Sequence, residues 1–120
     1  MSTLIAETIS DGTDTVETTY VVSGPAKAML YGTADAGTSG AVNISSGTDH
    51  GAGDYSYALT NSFTEGSFTT AQTAQDSASR NTVRNSPRHT EYTLAVATYN
   101  PSSGAKADSD HTVAAFGELA

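Results

Sequence analysis

The chain predicts an all-β protein, an antiparallel β-sandwich of about eight short strands. Apolar and polar residues alternate with a period of two in three segments, which puts one set on a buried face and the other on the opposite face. Between such segments lie clusters of Gly, Asp, Asn, Pro and Ser, the residues that turns require. Composition sharpens the reading. Fifteen Ser and 19 Thr stand among 120 residues, whereas Leu, Ile, Val and Phe together number 18. So few large aliphatics at a net charge of −8 would flag disorder. Disordered chains scatter their apolar residues, however, and this chain spaces them regularly.

The first 15 residues carry four Thr and three Asp or Glu with weak periodicity. They read as an N-terminal arm that docks on a neighbouring chain, and residues 16–120 read as the sandwich domain. Val16, Thr18, Tyr20 and Val22 alternate with Glu17, Thr19, Val21 and Ser23 and predict a strand, stopped by Gly24-Pro25. Lys27–Tyr31 and Ala41–Ser45 predict two more, separated by a stretch with three glycines from Gly32 to Gly40. Tyr55, Tyr57 and Leu59 alternate with Ser56, Ala58 and Thr60. Val42–Phe63 therefore reads as a hairpin with a nine-residue link, Ser45–Gly53, in which Gly51 and Gly53 suit positive φ or a bulge. Phe68–Gln72 and Asn81–Arg84 predict short strands. A helix over Thr70–Arg80 is disfavoured, because Ser and Thr interrupt it and no apolar stripe recurs. Tyr92, Leu94, Val96 and Thr98 alternate with Thr93, Ala95, Ala97 and Tyr99. A turn at Asn100-Pro101-Ser102-Ser103-Gly104 follows, and Thr112–Phe116 closes the sandwich.

Charge excludes several functions. Five Lys and Arg against 13 Asp and Glu argue against binding nucleic acid or other phosphates. No apolar run approaches the roughly 20 residues of a membrane span. With no Cys, disulfides, thiolate metal sites and Cys nucleophiles are excluded. The first basic residue is Lys27 and Leu4-Ile5-Ala6 is a short apolar run, so no secretory signal is expected and folding in a cytoplasm is. A core filled by Ala, Val, Thr and a few aromatics returns little free energy for the ordering it requires. The chain should therefore gain stability as a homo-oligomer or within a larger assembly. Six Tyr and three Phe without Trp are the available anchors, with Tyr20 and Tyr31 as candidate interface residues.

His50, His89 and His111 invite a metal or catalytic reading. Asp108-Ser109-Asp110-His111 sets two carboxylates and an imidazole within four residues, a spacing that can meet a cation on one strand face. Solvated acids before a last strand are the ordinary alternative. No Gly-x-Ser-x-Gly elbow is present, and no cofactor is expected. Arg80, Arg84 and Arg88 recur every four residues and form the one basic cluster. They are candidates for docking an acidic partner surface, or a second copy of this acidic chain, against simple charge balance on a loop near Pro87. A surface rich in Thr, Ser and Tyr also suits glycans.

Four blocks carry a family resemblance. They are Ser23-Gly24-Pro25-Ala26-Lys27-Ala28, then Asn43-Ile44-Ser45-Ser46-Gly47-Thr48-Asp49-His50-Gly51-Ala52-Gly53-Asp54-Tyr55, then Thr60-Asn61-Ser62-Phe63, and finally Val113-Ala114-Ala115-Phe116-Gly117. In this order, across residues 16–117, they resemble the landmarks of small β-rich virion proteins of tailed bacteriophages, which occur alone or as modules of tail-fibre proteins. The second block is the specific one. Met29 stands where that family usually has Trp, and Phe68–Thr90 matches none of its pattern. The resemblance implies a non-enzymatic virion structural protein with no catalytic residues. Its expected form is a homo-oligomer, a trimer, located in the virion as a tail fibre or fibre-associated subunit near the host-recognition apparatus, with other virion proteins as partners. A capsid decoration (cement) protein is the alternative, and a glycan-binding module a further one.

Overall fold

The structure, a computed structural model, describes residues 2–3, 5–66, 68–75, 82–85 and 88–120. It is an all-β protein. Ten strands lie in three antiparallel sheets among these residues, with one short helix. The elements are β1 (Thr8–Ser10), β2 (Thr15–Glu17), α1 (Thr18–Ser23), β3 (Ala28–Gly32), β4 (Thr38–Val42), β5 (Ile44–Asp49), β6 (Asp54–Leu59), β7 (Thr69–Gln75), β8 (Thr82–Asn85), β9 (Thr93–Tyr99) and β10 (Asp110–Phe116). One four-stranded sheet runs β4-β3-β10-β7 and the other β5-β6-β9-β8.

The period-two pattern decides what meets between the sheets. Ala28 and Leu30 of β3, with Val113 and Ala115 of β10, face inward from the first sheet. Tyr55 and Tyr57 of β6 and Leu94 and Val96 of β9 face them from the second. Phe63, bridged to Leu119 and stacked on Phe68 with ring centroids 4.0 Å apart, closes one end. Two tyrosines and a phenylalanine supply volume that the few aliphatics cannot, at about 25 cal/mol for each Å² of apolar surface withdrawn from water.

Several expectations meet corrections. Strand structure at Val16–Val22 stops at Glu17, and α1 follows. The reason is partner supply. β1 pairs only Thr8–Ser10 with Thr15–Glu17. Thr18 then ties back, its N–H to the Glu7 carbonyl at 2.9 Å and its hydroxyl to that of Ala6 at 2.9 Å, and the chain turns where no further strand is offered. Ala41–Ser45 is two strands meeting at Asn43, which takes a positive φ of 61°. The Asn43 side chain holds that corner, accepting from the Asn61 N–H at 2.7 Å and donating to the Asn61 carbonyl at 2.9 Å. Most of the predicted Ser45–Gly53 link is strand β5, leaving His50–Gly53 as the turn, with Gly51 and Gly53 at positive φ as the glycines suggested.

β1, β2 and α1 pack on one another and project from the sandwich. The molecule measures 53 × 29 × 23 Å with a radius of gyration of 16.6 Å, against about 14 Å for a compact chain of this length. Its accessible surface is 7206 Å², roughly 1,100 Å² above the size-scaling expectation for a compact monomer.

Candidate functional site

The residues that most resembled a reactive constellation form a structural seam. His111 is fully buried. Its Nδ1 lies 2.9 Å from the Ser109 carbonyl, which can only accept, so Nδ1 carries the proton. Nε2 therefore accepts from the Tyr57 hydroxyl at 2.6 Å. The ring stacks on Tyr55 at 4.7 Å. Burial pushes the His111 pKa down, outweighing the Ser109 carbonyl and the Asp110 charge, which act the other way. Gly32, paired with His111 across β3 and β10, leaves no room for a side chain: a Cβ there would strike both the imidazole and the Tyr57 hydroxyl.

The flanking carboxylates diverge. Asp108 accepts from the Gly53 N–H at 2.8 Å and from the Tyr55 hydroxyl at 3.1 Å, tying the loop before β10 to β6. Burial pushes the Tyr55 phenol up to about 12, although the Ser109 N–H that it accepts lowers it. Asp110 instead accepts from the Tyr31 hydroxyl at 2.7 Å and the Ala34 N–H at 2.9 Å, on the other side of β10. The Ser109 hydroxyl donates to the Asp110 carbonyl. His50 and His89 sit elsewhere, His50 against Ser56 and His89 against Phe68 and the Ala95 N–H. Among the described residues no three His, Asp or Glu are grouped to hold a metal ion.

Of the basic cluster, Arg80 lies outside the described residues. Arg84 is in the edge strand β8, paired with Ala97, and its side chain lies outside the description. Arg88 bonds Asp54 at 3.4 Å, joined there by Lys106 at 3.2 Å. Burial of Asp54 favours its neutral form, yet the hydrogen bonds and charges of Lys106 and Arg88 together hold its pKa below the ordinary value. Arg88 thus serves, at least in part, an internal ion cluster over the outer face of β6 and β9.

Among the described residues two apolar surfaces remain uncovered. The arm, which runs past residue 15 to include β2 and α1, exposes Ile5, Ile9, Val16, Tyr20, Val21 and Val22, with Ile5 at 92%, Tyr20 at 69% and Val22 at 59%. Ile5, Ile9, Val21 and Val22 line a hollow of about 330 Å³ between the hairpin and α1. The second surface is the outer face of the β4-β3-β10-β7 sheet. The register sets Val42, Met29, Ala114 and Ala71 side by side across four strands, with Ser39, Tyr31, Thr112 and Thr73 in a parallel row. Met29 and Val42 are 41% and 50% exposed, and a groove of about 440 Å³ runs over Met29, Ala114 and Ala71. The two tyrosines singled out from the sequence fall one on each surface, Tyr20 on the arm and Tyr31 on the sheet. Sequence reasoning missed the apolar row, although the pairing of Met29 with Ala114 and Ala71 follows once the strand order is known. No protein-family model, curated protein or solved structure matches this chain.

Proposed function

We propose that the chain is a non-enzymatic structural subunit of a tailed-bacteriophage virion, a tail fibre or fibre-associated protein that assembles as a homo-oligomer, a trimer, through its N-terminal arm. The observation that carries the assembly reading is the arm itself: six apolar side chains on a projecting hairpin and helix, left in water by the isolated chain. Exposed apolar surface of this kind marks an interaction site, and four of the six, Ile5, Ile9, Val21 and Val22, are contiguous around one hollow. The structural reading also draws support from the seam around His111, where the hydroxyl, imidazole and carboxylates bond one another and the backbone. The sequence landmarks from Asn43 to Tyr55 supply the virion as the setting, and the arm then docks on a like chain or another virion protein.

The capsid-decoration reading uses the same arm on a different lattice, and copy number separates the two. Quantitative mass spectrometry of purified particles should find the protein at fibre-like stoichiometry, a few copies for each tail. Stoichiometry comparable with the major capsid protein would replace the tail reading by the decoration reading. Absence from particles would overturn both. Tyr92, exposed beside the Thr90–Thr93 turn, is the ring a glycan-binding module would use. Retention of the isolated protein on host-surface polysaccharide, lost in Tyr92→Ala, would favour that reading instead.

A further inference from the structure

We propose that the arm of one copy seats on the outer face of the β4-β3-β10-β7 sheet of a second copy, over the row Val42, Met29, Ala114 and Ala71. The proposal rests on the assembly reading above and names its acceptor. Chemistry is the first argument. Both surfaces are apolar, both are uncovered, and one chain carries both. The row steps from two large side chains to two alanines, so Met29 and Val42 offer bulk to the hollow beside α1 while Ala114 and Ala71 leave room for an inserted ring such as Tyr20.

Charge is the second argument. The arm carries Glu7, Asp11, Asp14 and Glu17 and no Lys or Arg, because every cation of the chain lies from Lys27 onward. The chain holds 13 acids in all, yet among the described residues none lines the groove. An acidic arm laid there meets no carboxylate among the described lining residues, and Asp110, which shares the outward parity of Thr112 and Ala114, is already held by the Tyr31 hydroxyl and the Ala34 N–H. Most of the rest of this acidic surface would repel it.

Area is the third. The six exposed arm side chains present roughly 600 Å² of surface, so one arm on one face buries at most about 1,200 Å² in total, the lower bound of stable specific interfaces. A ring doubles the gain for each chain, which then both gives an arm and receives one. The contact is heterologous, since arm and sheet are different surfaces, and such contacts close into a ring when the rotation allows. A three-fold rotation gives the trimer.

The test is complementation in the full-length chain, read by sedimentation velocity. Val22→Asp disables the arm; Met29→Glu and, separately, Ala71→Glu disable the face. All three positions are surface-exposed, and circular dichroism verifies folding before mixing. Wild type should sediment as a closed oligomer and each variant as a monomer. An equimolar mixture of Val22→Asp with Met29→Glu should form a heterodimer, because one chain keeps its arm and the other its face. An arm-to-arm interface would leave both face variants oligomeric and overturns the proposal while the assembly reading stands; a face-to-face interface would leave Val22→Asp oligomeric and overturns both the proposal and assembly through the arm. Monomeric mixtures would also overturn it. A monomeric wild type, including one whose arm folds back on its own sheet, would overturn the assembly reading as well.

Discussion

At the residue scale, the seam between the sheets shows why local sequence patterns mislead about chemistry. Asp108, Asp110 and His111 lie within four residues, yet Asp108 stays in the loop before β10 while alternation turns Asp110 and His111 to opposite faces of the strand, so the three side chains reach different tyrosines more than 50 residues away. The types were legible; their partners, Tyr31, Tyr55 and Tyr57, depend on the packing of strands remote in sequence. The same packing makes Gly32 sensitive. Gly32→Ala should cost about 1–3 kcal/mol by overpacking against His111 and Tyr57, seen as a lowered urea midpoint at unchanged slope. An unchanged midpoint would mean that the imidazole can retreat. The buried imidazole also couples stability to pH. Burial holds its pKa below the ordinary 6.5, so the unfolded chain takes up a proton near pH 6.5 and the folded one takes it up only at lower pH. The full contribution is present above pH 6.5 and is lost as pH falls through the window beneath it, at up to about 1.4 kcal/mol per pH unit for one proton. His89, also pushed down by burial, acts with the same sign. Urea midpoints at pH 7.5 and 5.5 should fall for wild type and fall less for His111→Gln, which starts lower because the Tyr57 hydroxyl and the Ser109 carbonyl lose their partner. An equal fall in both proteins would assign the pH dependence elsewhere.

At the scale of elements, alternation was a reliable guide where a neighbouring strand existed to receive it. β6 and β9 follow Tyr55–Leu59 and Tyr92–Thr98 closely because each lies between two strands in its sheet. The same alternation over Val16–Val22 yields three residues of strand and then a helix, since β1 is exhausted at Thr8. Pattern reports the face a segment can present; whether a partner backbone is available is a tertiary fact. α1 is weak on its own terms. It spans six residues, has no side-chain cap at Glu17 and is built from Thr, Tyr, Val and Ser, all poor helix formers. Its amides should therefore exchange with deuterium rapidly in dilute monomer and slow on assembly, while those of β9 stay protected in both. Equal protection of α1 in both states would mean that the arm takes no part in the interface. The Asn43 corner was hidden because Ala41–Ser45 reads as one β-prone run. Asn43→Gly keeps access to the positive φ and loses two side-chain bonds, at about 1–2 kcal/mol; Asn43→Ala should add about 1 kcal/mol of backbone strain. Denaturant titration of the two variants checks that order, and the reverse order would locate the corner's stability elsewhere.

At the scale of the whole molecule, the thin core and the projecting arm are two sides of one economy. The chain has few large aliphatics, and it leaves Ile5, Ile9, Val16, Val21 and Val22 outside its own sandwich. Apolar surface that could have thickened the core is displayed instead. A folded chain organised this way is stabilised by anything that binds the native arm and not the unfolded chain, by mass action. If the binding site is another copy, stability must depend on protein concentration. The wild-type Tm should rise by several degrees over a hundredfold range of concentration. In Tyr20→Asp/Val22→Asp, whose substitutions lie on exposed arm positions, the Tm should be lower and independent of concentration, and should match that of wild type at high dilution. That match separates lost association from damage to the fold, because a misfolded variant would fall below the dilute wild type. A wild-type Tm that does not move with concentration would mean that the sandwich is self-sufficient, and that the arm's apolar face is reserved for a partner other than its own kind.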